Sequence, residues 1–137
     1  RAEEAGVLLA SSKEELLETS DFVSIHLVLS DRTKHLLGRE EFKRMKLSSY
    51  LINTSRAAIV DQNALIEALK NGWIRGAALD VFEKEPLPQE DVFRSLPNVL
   101  TTPHLGYVSQ RNYLTYYRQA LEDIQAFLLG EPIRKIN

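Results

Sequence analysis

The chain has 137 residues, 44% of them hydrophobic and 26% charged, enough for a domain with a packed core. A net charge of -2 gives no reason to expect nucleic acid or an anionic membrane surface as a partner, and no apolar run approaches the length that spans a bilayer. The absence of cysteine excludes a disulfide framework, a thiol nucleophile and a thiolate metal site, and it fits a cytoplasmic protein.

Arg1 to Ala5 read as the end of a helix closed by Gly6, and Val7 to Leu9 as a short buried strand. Ser12 with Glu15 has the form of a capping box and opens a helix to about Thr19. A strand is expected from Asp21 to Leu27, a polar loop at Ser30 to Thr33, and a helix from Gly38 to about Lys46. Tyr50 to Thr54 is the next strand. Asp61 is placed to cap a helix over Gln62–Asn71, with Leu65, Ile66 and Leu69 at helical spacing and Gly72 at its end. A strand over 74–82 runs into a proline-rich loop with one helical turn at 89–94, followed by a strand at Val99–Thr101. A long helix from Ser109 to Leu129 is stopped by Gly130 and Pro132, and the spacing of Tyr113, Tyr116, Tyr117 and Phe127 suits a packed face on it.

Strands alternating with helices predict an α/β fold with a parallel, doubly wound sheet in one domain. A dinucleotide fold of that kind opens with Gly-x-Gly-x-x-Gly, and none of the six glycines forms the pattern. If the fold is of this type, the sequence starts after its first two strands. Strand 21–27 then keeps an open edge where the first strand would pair, so a longer native protein or a covering chain is expected.

The chemistry gathers at strand ends. Arg56, just past strand 50–54, can grip a carboxylate in bidentate fashion, against the plain reading of a solvated loop arginine. Asp80, among Ala77, Ala78, Leu79 and Val81, needs donors if it is buried; a neighbouring backbone or a ligand amide would serve equally. Glu85 and His104 are the sharpest pair, since a carboxylate that fixes the tautomer of an imidazole makes a general acid or base for neutral pH; taken on the residues alone, a satisfied histidine and a solvated loop glutamate is the favoured reading. His26 ends a strand, where packing is favoured over bordering a ligand, His35 reads as solvated, and Trp73 reads as a core or interface anchor. No histidine–carboxylate spacing resembles a metal site.

Four segments in order resemble the D-isomer-specific 2-hydroxyacid dehydrogenases: Asp21–Leu27, Leu51–Arg56 with Val60-Asp61, Leu79–Phe82 with Glu85-Pro86-Leu87, and Thr102–Gly106. The resemblance covers nearly the whole chain as the later part of that family's nucleotide-binding domain, with residues from about 109 to 137 leading back to a substrate domain. It implies an oxidoreductase moving a hydride between NAD or NADP and a small D-2-hydroxy or 2-keto acid, inactive as this fragment alone, in a cytoplasmic homodimer. By the same resemblance Arg56 binds the substrate carboxylate, His104 is the proton donor and Glu85 is its ionic partner. Asp80 and the Thr54 backbone contact the nicotinamide carboxamide, Gly106 adjoins the ring, and His26 to Val28 border the adenine side. Arg56 and His104 thus touch cofactor as well as substrate. Val28, Ala57 and Tyr107 depart from the family's usual proline, glycine and smaller residue. A binding or corepressor protein that senses NAD on the same fold is the alternative.

Overall fold

Among the described residues four short strands carry the fold: β1 (Phe22–Ile25), β2 (Tyr50–Asn53), β3 (Gly76–Leu79) and β4 (Val99–Thr101). They pair in parallel in the order β1-β2-β3-β4, with Phe22 opposite Tyr50, Tyr50 opposite Gly76 and Leu79 opposite Thr101. The computed structural model describes residues 4–136 in two units, the first closing at His104 and the second opening at Leu105.

In the first unit the helices are α1 (Lys13–Thr19), α2 (Arg39–Arg44) and α3 (Gln62–Lys70). Each starts where local chemistry satisfies its free amides. Ser12 accepts from the Glu15 N–H, Gly38 donates its N–H to Glu41, and Asp61 accepts from the Ala64 N–H. Leu17, Phe42, Leu65 and Leu69 press from the helices onto Val23, Ile25, Leu51, Ala77 and Leu79, which alternate along the strands and so share one sheet face. On the opposite face Phe22, Ser24, Tyr50 and Leu100 are exposed, with the Phe22 and Tyr50 rings stacked at 5.5 Å. The parallel α/β expectation holds. Successive strands are neighbours, so the described residues hold one winding with its helices on one face.

Beyond its pairing with β2, β1 has no strand partner among the described residues, as expected of an open edge. The strand expected at Val7–Leu9 does not form. These residues are irregular and exposed, Leu8 fully so, because an apolar run becomes a strand only with a ladder to join. The strand expected over 74–82 is shorter: the Trp73 N–H returns to Ala68 and the chain leaves the ladder after Leu79. The helix end expected at Arg1–Ala5 lies partly outside the described residues; 4–6 form a turn with Gly6 at φ +69°. Trp73 is half-buried against the core, with the Arg39 guanidinium 5.2 Å from its ring.

The second unit is α4 (Gln110–Leu128), capped by the Ser109 hydroxyl on the Asn112 N–H and ended by Gly130 at φ +79°. No α4 side chain is buried, against the packed face expected of its aromatic residues. Within the unit, Tyr113 and Tyr117 stack at 6.0 Å and Arg134 pairs with Glu122 and Asp123, while Leu121, Ile124, Phe127 and Leu128 are exposed.

Candidate active site

Parallel strands deliver all their carboxyl ends to one edge, and the candidate residues collect there. At the end of β2 the Asn53 side chain is 2% exposed and shapes the turn that follows. Its Oδ1 accepts the Ser55 N–H at 3.0 Å and its Nδ2 donates to the Arg56 carbonyl at 3.0 Å. The Ser55 hydroxyl donates to the Leu27 carbonyl, tying the turn to the segment after β1. Arg56 leaves this turn with an exposed side chain whose Nη1 donates to the Ser55 carbonyl at 2.7 Å. It lines a cavity of about 490 Å³ with Lys34, His35, Phe82 and Glu83. Ala57 opens a 3-10 turn over Ala57–Ile59 and has no positive φ, so alanine fits where the resembling family carries glycine.

Asp80 follows β3 and is 4% exposed. Its N–H donates to the Asn53 carbonyl at 2.9 Å, and its Oδ1 accepts the Thr102 hydroxyl at 2.5 Å. A side chain across the β3–β4 step therefore provides a donor that the sequence left open between backbone and ligand.

Glu85 and His104 meet. Glu85 Oε1 accepts the Phe82 N–H at 2.9 Å, and Oε2 lies 2.7 Å from His104 Nδ1. The hydrogen bond from His104 holds the Glu85 carboxyl below the usual carboxylate range; the Phe82 N–H adds to this, and burial and Asp80 oppose it. His104 sits at φ +57°, in the left-handed region that histidine enters more often than most residues, and its N–H donates to the Thr102 carbonyl at 3.1 Å. The pair lines a cavity of about 330 Å³ with Phe82, Pro86, Leu87 and Pro103. The structure thus joins Glu85 to His104 and sets Arg56 in a neighbouring cavity, with Phe82 walling both.

The other candidates take separate places. Thr54 is exposed in the bend after β2. His26 is exposed, with Nε2 2.9 Å from the Ser24 hydroxyl, and lines a larger apolar cavity with Leu16, Leu36 and Ile59. Gly106 belongs to the second unit, in the turn closed by the Val108 N–H on the Leu105 carbonyl. His35 is exposed as expected, yet it lines the Arg56 cavity. Sequence reasoning assigned no role to Asn53 or Thr102. The signal for Asn53 was a polar residue at an inward strand position; Thr102 offered none before its register with Asp80 was known.

A buried carboxylate at this edge can accept from a ligand amide, and the imidazole–carboxylate pair beside it can move a proton. The sequence holds no glycine-rich turn for a pyrophosphate. Among the described residues no group of three or more His, Cys, Asp or Glu could hold a metal ion, and no helix is long and apolar enough to cross a membrane.

Comparison with known proteins gives the same direction. The model of the D-isomer specific 2-hydroxyacid dehydrogenase NAD binding domain matches residues 1–106. A glyoxylate reductase of Korarchaeum cryptofilum is 48% identical over 118 residues, which cover 86% of this chain and 36% of that protein. A phosphoglycerate oxidoreductase of Vibrio cholerae superposes with a TM-score of 0.87 at 39% identity, over 94% of this chain and 41% of that one. The NAD-complexed D-isomer specific 2-hydroxyacid dehydrogenase of Lactobacillus delbrueckii superposes over the whole chain with a TM-score of 0.82 at 29% identity, covering 46% of that structure. The chain therefore spans about a third of the length of the curated relative and less than half of each solved structure.

Proposed function

The chain belongs to the D-isomer-specific 2-hydroxyacid dehydrogenase family, and from that premise we propose that it forms the nicotinamide side of an NAD(P)-dependent oxidoreductase acting on a small D-2-hydroxy or 2-keto acid. The observation that carries the reading is the 2.7 Å pairing of Glu85 with His104 at the sheet edge that also bears Arg56 and Asp80. When bound, the reduced nicotinamide supplies a hydride to the keto carbon. Arg56 binds the substrate carboxylate and offsets the charge that grows on the carbonyl oxygen. His104 gives its proton to that oxygen as the alcohol forms and takes it back in the oxidation. Glu85 holds the Nδ1 side of the ring and stabilises the imidazolium before the transfer. Asp80 accepts from the carboxamide N–H, with the Thr54 backbone at the same ring and His26 towards the adenine.

Glyoxylate, the substrate named for the Korarchaeum relative, is the first 2-keto acid to try. A cytoplasmic homodimer completes the proposal, and light scattering of the purified protein tests the dimer. The decisive experiment uses an enzyme that carries this chain together with a pyrophosphate-binding half and a substrate domain. There His104→Gln should lower kcat with glyoxylate by about 10²–10⁴ while the Kd for NADH moves by less than about threefold. Turnover near the parent's would remove His104 from the mechanism, and NADH binding without turnover in the parent would favour a sensor.

A further inference from the structure

Thr102 links Asp80 and His104 by hydrogen bonds. Its N–H donates to the Leu79 carbonyl at 3.0 Å, fixing it to the strand that carries Asp80. Its hydroxyl donates to Asp80 Oδ1 at 2.5 Å, and its carbonyl accepts the His104 N–H at 3.1 Å. One residue is thereby bonded to the Asp80 carboxylate and to the backbone of His104, whose φ of +57° aims the ring. A carboxylate has roughly four lone-pair positions, and its rotation about the last torsion is soft. In a group 4% exposed, water has little part in setting that rotation, and the fixed Thr102 hydroxyl is one of the groups that does.

We propose that Thr102 is a positioning residue: its hydroxyl turns the Asp80 carboxylate towards a nicotinamide carboxamide, and its main chain holds His104 at the same edge. This rests on the nicotinamide placement given above and deepens it. A hydroxyl that only satisfied a buried carboxylate would stabilise the fold without preferring one ligand to another. A positioning hydroxyl acts through the carboxamide N–H, and that difference can be measured.

The test uses the 137-residue chain and two probes that need no pyrophosphate cradle. These are reduced nicotinamide mononucleotide and its 3-acetylpyridine counterpart, which keeps the carbonyl but has no N–H to give Asp80. Dissociation constants are read from amide shifts in two-dimensional NMR, whose dispersion also reports whether each variant is folded. Thr102→Val should weaken the nicotinamide probe roughly tenfold, the scale of one hydrogen bond to a charged group, and the acetylpyridine probe less than about twofold. Thr102→Ser should restore the parent's preference. Thr102→Ala carries the expectation of the valine variant should the valine methyl prevent folding. Equal weakening of both probes, or no weakening, overturns the positioning role. Failure of the parent chain to bind either probe overturns the nicotinamide placement itself.

Discussion

Glu85→Gln replaces one oxygen of a carboxylate that has two separate duties. Oε1 accepts the Phe82 N–H at 2.9 Å, and Oε2 meets His104 Nδ1 at 2.7 Å. Glutamine has one oxygen, and only an oxygen can accept from Phe82. Keeping that contact turns the amide NH₂ towards Nδ1, which must then accept, so the ring proton moves to Nε2. A hydrogen bond to a charged group contributes ~1.5–3 kcal/mol. With the two side chains 35% and 38% exposed, water screening places the lost bond at the low end, about 1–1.5 kcal/mol. The new amide–imidazole bond adds about 0.5–1 kcal/mol in the opposite sense. The total swing of about 2 kcal/mol is roughly thirtyfold in tautomer ratio. Long-range ¹H–¹⁵N correlation of the His104 ring in the 137-residue chain reads the tautomer directly. The expected result is Nδ1–H in the parent and Nε2–H in the variant. An Nδ1–H that survives in Glu85→Gln would mean that the carboxylate does not set the tautomer, and Glu85 would lose its place in the mechanism.

Two further substitutions test the frame on which the site stands. A Cβ at Gly76 would lie 2.6 Å from the Asn98 carbonyl oxygen and 3.1 Å from the Tyr50 ring, so Gly76→Ala should destabilise the first unit by about 1–3 kcal/mol in urea; an unchanged midpoint would refute the contact. Glu41 pairs with Lys13 at 2.6 Å, joining α2 to α1, and this bond, helped by the Gly38 N–H against burial, holds its carboxyl below the ordinary 4.5. A depressed folded pKa gives stability that is present above the unfolded value and is lost as pH falls through the folded one. Glu41→Gln should therefore cost up to about 1 kcal/mol at pH 7 and nothing in strong acid, and a cost independent of pH would refute the assignment.

Local chemistry explains what was legible beforehand. Ser12 and Asp61 cap α1 and α3 as the sequence indicates, and β4 has the expected bounds, because a cap or a short strand between turn residues is decided within a few positions. The capping box of α1 is only half made: Glu15 turns to the N–H and hydroxyl of Ser11 instead of the Ser12 N–H, a choice between adjacent donors that spacing does not resolve. Val7–Leu9 and the apolar side of α4 were misread for one reason. Hydrophobic pattern records what a segment can bury, not whether a partner is present to bury it. The left-handed backbone of His104 carried no sequence signal either, since histidine adopts that conformation only when its surroundings impose it.

The candidate residues were legible as occupants of one sheet edge and illegible as distances, and the parallel ladder explains both. Every candidate follows a strand by a few positions, and parallel pairing makes each strand end at the same edge; reading the strands therefore put His26, Arg56, Asp80, Glu85 and His104 on one edge, while their roles came from the family resemblance. Their mutual geometry depends on the register between strands and on what each connecting turn does. Leu79 opposite Thr101 puts Asp80 beside Thr102 and so gives the buried carboxylate its donor. A one-residue slip would send that hydroxyl to the other sheet face. The turn after β2 is governed by the Asn53 amide, which sends Arg56 into a cavity next to that of His104 instead of onto its ring. On the function proposed above, guanidinium and imidazole would act together only through a ligand reaching both cavities past Phe82, and a keto acid with its carboxylate towards one and its carbonyl oxygen towards the other has the chemistry for that.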